Sequence, residues 1–203
     1  MIDTDVRRRG AAHRALTELV AVEGTRDGLA TVTVGVLGDL RDLRFDPRVT
    51  RCRDEGALAE TVMRAVRTAS AAAHRASADL VAQLVPEHPR GAEVDLLFDP
   101  MLYRLDRRIA ESDGSDAGFD YRRLRRRVLA MRDLAEDLRK TARSPDGQIT
   151  ATVSGRRALV GLTFGRKAVP TRHADQLADD VLTTARRATA RVSEQLTGTW
   201  TTS

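Results

Sequence analysis

The chain has 203 residues, of which 41% are hydrophobic and 31% charged, with a net charge of +5 and a pI near 10.2. This describes a folded protein with long solvated helix faces rather than a disordered one. No apolar run approaches the ~20 residues that span a bilayer, the first residues are acids and arginines rather than a leader's apolar core, and the single cysteine, Cys52, can form no internal disulfide; the expected location is the cytoplasm.

In chain order, a first helix is expected at about 5–23, with Val6, Ala12, His13, Leu16, Leu19 and Val20 on one face. Asp27-Gly28 breaks it as a turn signal. Leu29–Gly35 and Leu40–Asp46 read as strands, because Thr31, Val32, Thr33 and Val34 suit a pleated surface and Leu43 and Phe45 alternate with charged residues. Gly35 and Gly38 bracket their hairpin turn, and a short third strand is expected around 48–53. Asp54 is placed to cap a long helix running to about Leu84, with Leu58, Val62, Ala65, Ala69, Ala72, Ala76 and Leu80 as its apolar stripe. Pro86 and Pro89 stop it. Residues 86–118 form an acidic connector with a short helix near 100–111.

The next helix is expected at about 119–142, with Leu124, Val128, Met131, Ala135, Leu138 and Ala142 at alternating spacings of four and three, a seam that calls for a partner helix. Strands follow at about 148–154 and 158–165, with a possible third near 167–170. A last helix at about 174–196 is built on Leu177, Val181, Ala185, Ala188 and Val192. The same order has occurred twice, and so have the residues. Shifting the chain by 119 positions lays 27–71 on 146–190 without a gap and with 15 of 45 positions identical. The period is too long for a solenoid. It implies a duplicated and fused module, so the expected fold is α+β: two tandem helix–β-meander–helix modules that pack together as an intrachain pseudo-dimer. The boundaries are 1–85 for the first module, 86–118 for the connector, 119–197 for the second module and 198–203 for a flexible tail.

Charge is uneven along the chain. Residues 1–118 sum to −3 and 119–203 to +8, which points to a polyanion partner for the second half.

The segments Gly28-Leu-Ala-Thr-Val-Thr-Val34, Leu40-Arg-Asp-Leu-Arg-Phe-Asp-Pro47 and Leu58-Ala-Glu-Thr-Val62 resemble the YbaB/EbfC family of bacterial nucleoid-associated proteins. So do Ser144-Pro-Asp-Gly-Gln-Ile-Thr-Ala-Thr-Val153, Leu159-Val-Gly-Leu-Thr-Phe164 and Leu177-Ala-Asp-Asp-Val181, where the arginine-rich helix leading into Ser-Pro-Asp-Gly has an actinobacterial flavour. The resemblance covers most of both modules but not the connector. It implies an α-β-β-β-α unit that dimerises and binds duplex DNA with little sequence preference. Usual members are single modules, whereas this chain carries two diverged copies.

On that reading the DNA-binding candidates are led by Arg122, Arg123, Arg125, Arg126 and Arg127, five guanidiniums in six residues that can reach several phosphates. The plain alternative is a solvated helix face. Arg7, Arg8 and Arg9 form a weaker version, interrupted by Asp3 and Asp5. Arg186 and Arg187, with Arg191, either extend the surface or pair locally with Asp175, Asp179 and Asp180; Arg166, Lys167 and Arg172 either extend it or protect a sheet edge. Aromatic residues are only 3% of the chain, too few for a base-stacking platform, so duplex rather than single-stranded DNA is the expected partner.

Enzymatic readings find no support. His13, His74, His88 and His173 share no ligand spacing with each other or with Cys52, so no metal is expected, and no glycine-rich loop joins a strand to a helix to cradle a phosphate or other cofactor. The expected function is a non-catalytic, largely sequence-independent nucleoid protein without cofactors or membrane contact, able to self-associate. The alternative is a protein–protein scaffold or chaperone-like accessory protein. That role is implied by actinobacterial relatives associated with type VII secretion.

Overall fold

A computed structural model describes residues 15–16, 18–84, 95, 97–112 and 116–201. Two antiparallel three-stranded meanders dominate it. The first is β1 (Val20–Gly24), β2 (Ala30–Gly35) and β3 (Leu40–Phe45); the second is β4 (Arg139–Arg143), β5 (Ile149–Ser154) and β6 (Leu159–Phe164). Each strand of the second lies 119 residues after its twin, and so does the register shift in the central strand, at Thr33/Val34 and Thr152/Val153. Long helices α1 (Glu55–Leu84) and α4 (Ala174–Thr201) follow the meanders, while α2 (Asp99–Glu111) and α3 (Asp116–Asp137) lie between them.

The duplicated turns show why each meander folds alike. Thr25 Oγ1 donates to Asp27 Oδ1 at 2.6 Å and accepts from Ala30 N at 2.9 Å, and Gly28 follows at φ 68°. Ser144 Oγ repeats both bonds, to Asp146 Oδ1 at 2.6 Å and from Ile149 N at 2.9 Å, before Gly147 at φ 70°. A left-handed residue closes each turn, where glycine meets no Cβ penalty.

Three expectations need correction. The third strand of each meander precedes the other two. Val20–Gly24 is β1 rather than the end of the first helix, of which Ala15, Leu16 and Glu18 are helical, and Arg139–Arg143 is β4 rather than the end of a helix reaching 142. The apolar spacing that ran on through Leu138 and Ala142 suits either conformation. Pairing with β2 and β5 decides it, because a central strand lacking a neighbour would leave a row of N–H and C=O groups open. Conversely, 48–53 is not a strand. Pro47 lacks an N–H and Asp46 Oδ1 accepts from Arg48 N at 2.8 Å, which starts a 3-10 helix at Pro47–Arg51. Residues 167–170 are likewise a turn. Finally, α4 runs on to Thr201, beyond the expected 196.

Asp54 caps α1 as expected, its Oδ1 accepting from Ala57 N at 2.8 Å. The buried stripe of α1 begins Leu58, Val62, Ala65, Ala69 but continues through Ala73 and Ser77 rather than Ala72 and Ala76. On α4 the expected residues, Leu177, Val181, Ala185, Ala188 and Val192, are all buried.

Each long helix covers strands of both halves. Helix α1 packs on β1 and β2 and also on β6; α4 packs on β4 and β5 and also on β3. The alanines on both helices let backbone and sheet approach closely. Where the halves meet, Leu159 N donates to Gly38 O at 3.2 Å, and a Cβ on Gly38 would come within 2.8 Å of Ala158 Cβ. One apolar core results, running from Val32 and Phe45 through Val62 and Val181 to Ile149 and Val192.

Candidate nucleic-acid interface

Helix α3 is held at its base and paired along its length. At the base, Gly155 N donates to Leu138 O at 2.8 Å, and a Cβ on Gly155 would meet the backbone of Ala135, its O at 2.4 Å and its Cα at 2.6 Å. Only glycine allows that approach. Arg139 Nη1 closes the helix by donating to Glu136 O and Leu138 O, at 2.8 and 2.9 Å. Arg156 ties the same end down through Glu136 and Asp95, each at 3.2 Å. The partner helix that the seam called for is supplied by the connector: α2 lies along α3, burying Phe98, Leu102 and Leu105 together with Val128 and Ala135. The sequence placed a helix here but gave no sign that it was the partner.

Burial of one flank sorts the arginines of α3. Arg122, Arg123 and Arg126 are exposed, at i, i+1 and i+4, with the 63% exposed Phe119 on the same stripe. Among the described residues no carboxylate lies within ion-pair distance of these three. Arg125 faces α2, and its Nε donates to Asp106 Oδ1 at 2.5 Å. Arg127 is half-buried and has a partner. The five arginines therefore do not act alike: three are open to solvent and two are engaged on the flanks. The C-terminal part of α3 carries Asp133, Glu136 and Asp137 on its exposed side, so the positive stripe is confined to the helix's N-terminal half.

The remaining candidates lie elsewhere. Arg7, Arg8 and Arg9 fall outside the described residues, as does His13. Arg186 and Arg187 are exposed on α4, but local pairing with the preceding acids does not form. Asp180 turns instead to Arg172, whose Nε donates to its Oδ2 at 2.7 Å, and Arg191 Nη1 donates to Thr141 O at 2.5 Å. Arg172 also donates to Asp146 Oδ2 and, at 3.0 Å, to Ala168 O, so its side chain is only 6% exposed. It belongs to the turn, not to a basic surface. Arg166 and Lys167 are exposed.

Both acidic turn residues have lowered carboxyls. The Ser144 hydroxyl, the Gln148 N–H and Arg172 hold the Asp146 carboxyl down at about 2. The Thr25 hydroxyl lowers Asp27 in the same way, with help from the Leu29 N–H and Arg48, against a burial cost that raises it.

Among the described residues no group of three His, Cys, Asp or Glu side chains is placed to hold a metal ion, and no helix is long and apolar enough to cross a membrane. No curated protein matches the chain. The model of the YbaB/EbfC DNA-binding family matches it twice, over residues 8–88 and 118–200.

Proposed function

Because the chain belongs to the YbaB/EbfC DNA-binding family, we propose that it binds duplex DNA through the phosphate backbone, as a non-catalytic component of the bacterial nucleoid, using the exposed arginines of α3. The observation that carries this reading is the stripe Arg122, Arg123 and Arg126, three solvent-facing guanidiniums without a carboxylate partner among the described residues. Free guanidiniums displace counterions when they meet phosphates, which gives affinity without base readout. The engaged Arg125 fixes the helical hairpin that presents them. Arg186 and Arg187 on α4, and Arg7, Arg8 and Arg9 at the N-terminus, add positive charge beyond α3.

The test is fluorescence anisotropy on two duplexes of unrelated sequence. The native chain should bind both with similar affinity, and Arg122→Glu/Arg123→Glu/Arg126→Glu should lose both. Strong preference for one duplex, or unchanged binding by the variant, would refute the reading.

A second reading rests on one observation. Apolar residues stay exposed on the same hairpin, with Tyr103 at 60% and Phe119 at 63%, which is what a protein-docking scaffold requires. Loss of a protein partner in Tyr103→Ser/Phe119→Ser, with duplex binding intact, would favour that scaffold role.

A further inference from the structure

The duplication provides an internal control, since most features of one half can be compared with their twins 119 residues away. At the seam between the halves the two copies differ sharply. A cavity of about 380 Å³ lies there, bordered by Asp39 and Arg41 of the first half and by Arg157, Leu159 and Arg186 of the second. The corresponding twin positions of Arg41 and Arg157 hold Val160 and Gly38. One cleft of the related pair therefore has three arginines where the other can have only Arg67. We infer that this seam cavity binds a phosphate-bearing ligand, with Arg157 and Arg186 as its anion contacts.

Backbone conformation gives an independent reason. Gly38 and Arg157 close the two equivalent hairpins, at φ 77° and 70°. Glycine takes that conformation freely, whereas a long side chain such as arginine meets a steric penalty between its Cβ and the backbone. Arg157 is the one non-glycine at positive φ among the described residues. Strain retained at a position where the twin shows it is avoidable calls for a use of the side chain.

The charges suit a dianion. Arg41 is already neutralised, its Nε lying 2.5 Å from Asp39 Oδ2. Arg157 Nη2 donates to Ser193 Oγ at 3.1 Å, a neutral partner that orients the guanidinium and leaves its charge uncompensated. Arg186 has no carboxylate within ion-pair distance among the described residues. Two uncompensated positive charges face one opening, and a phosphate monoester carries close to two negative charges at neutral pH. Planar guanidiniums match phosphate oxygens two at a time. The floor is apolar, formed by the buried Val153, Leu159 and Ala185, and the volume falls in the range of small-molecule sites. An organic group attached to the phosphate would rest there.

Two sources can present this phosphate: a free phosphorylated metabolite or a DNA strand crossing the seam. The inference does not depend on the α3 stripe, so the tests separate. Full-length protein is titrated calorimetrically with pyrophosphate, against sodium chloride of equal ionic strength. The native chain should bind. Arg157→Gly installs the twin's residue and removes the strain, so it should fold at least as stably, yet bind pyrophosphate about tenfold or more weakly; Arg186→Ala should weaken it comparably. No binding at millimolar pyrophosphate, or equal binding by the native chain and Arg157→Gly, would overturn the inference. The duplex assay on Arg157→Gly then identifies the source. Unchanged duplex affinity supports the free ligand, and a parallel fall overturns it in favour of the DNA backbone.

Discussion

Replacing Gly155 with alanine tests how α3 is positioned, and its cost can be worked out from the structure. The added Cβ would lie 2.4 Å from Ala135 O and 2.6 Å from Ala135 Cα. Restoring ordinary contact requires α3 to retreat by about 1 Å at its base. The Gly155 N–H to Leu138 O bond, 2.8 Å long, would then be lost, at about 1 kcal/mol. Forcing a methyl group into a closed contact adds about 1–3 kcal/mol. A total loss of about 2–4 kcal/mol is expected, measured by urea denaturation followed by circular dichroism. Gly155 has no left-handed backbone to protect, and its twin, Val36, carries a side chain in the equivalent hairpin. The cost must therefore come from the docking of α3 alone. A loss below about 0.5 kcal/mol, typical of a surface change, would show that the close approach of Ala135 does not set the helix.

Two further outcomes follow from the packing and the turns. Val62→Ala and Val181→Ala, at fully buried twin positions on α1 and α4, should each cost about 2–3 kcal/mol and lower the midpoint of one shared unfolding transition; two separate transitions would mean that the halves do not form one core. Asp146 is held at about 2 from an ordinary 3.8, so its folded form binds its proton less readily than the unfolded chain. Its contribution to stability is full above about pH 4 and fades as pH falls towards 2. Ser144→Ala should raise the Asp146 carboxyl in an NMR titration and shrink that acid dependence, and an unmoved carboxyl would remove the hydroxyl as the main cause.

Much of this architecture is legible in the amino acids because it is written twice. The 119-residue offset carries the turn residues Asp27-Gly28 and Asp146-Gly147, the aromatic strand ends Phe45 and Phe164, and the buried faces of both long helices. Two kinds of feature were not legible. Apolar spacing alone could not distinguish a helix's last turn from a strand at Val20–Gly24 and Arg139–Arg143, because each is five residues long, too short to separate a helical period from a strand's, and only pairing with the neighbouring strand decides. Contacts distant in sequence carried no local sign either. Asp106 reaching Arg125, and the connector's helix filling the seam of α3, depend on how the chain folds back. The arginine cluster was visible as a run, but its division into exposed and engaged members was not. The exposed Phe119 and the left-handed Arg157 gave no signal in composition, although comparing Arg157 with Gly38 across the repeat could have revealed the second.

If Arg122, Arg123 and Arg126 meet phosphates, the salt dependence of duplex binding counts those contacts. Each phosphate contact contributes about 0.9 to the slope of log affinity against log salt. Replacing all three arginines with alanine should therefore weaken binding and flatten that slope by about two to three units. A variant that binds more weakly but keeps the native slope, or a native chain whose affinity ignores salt, would contradict the account.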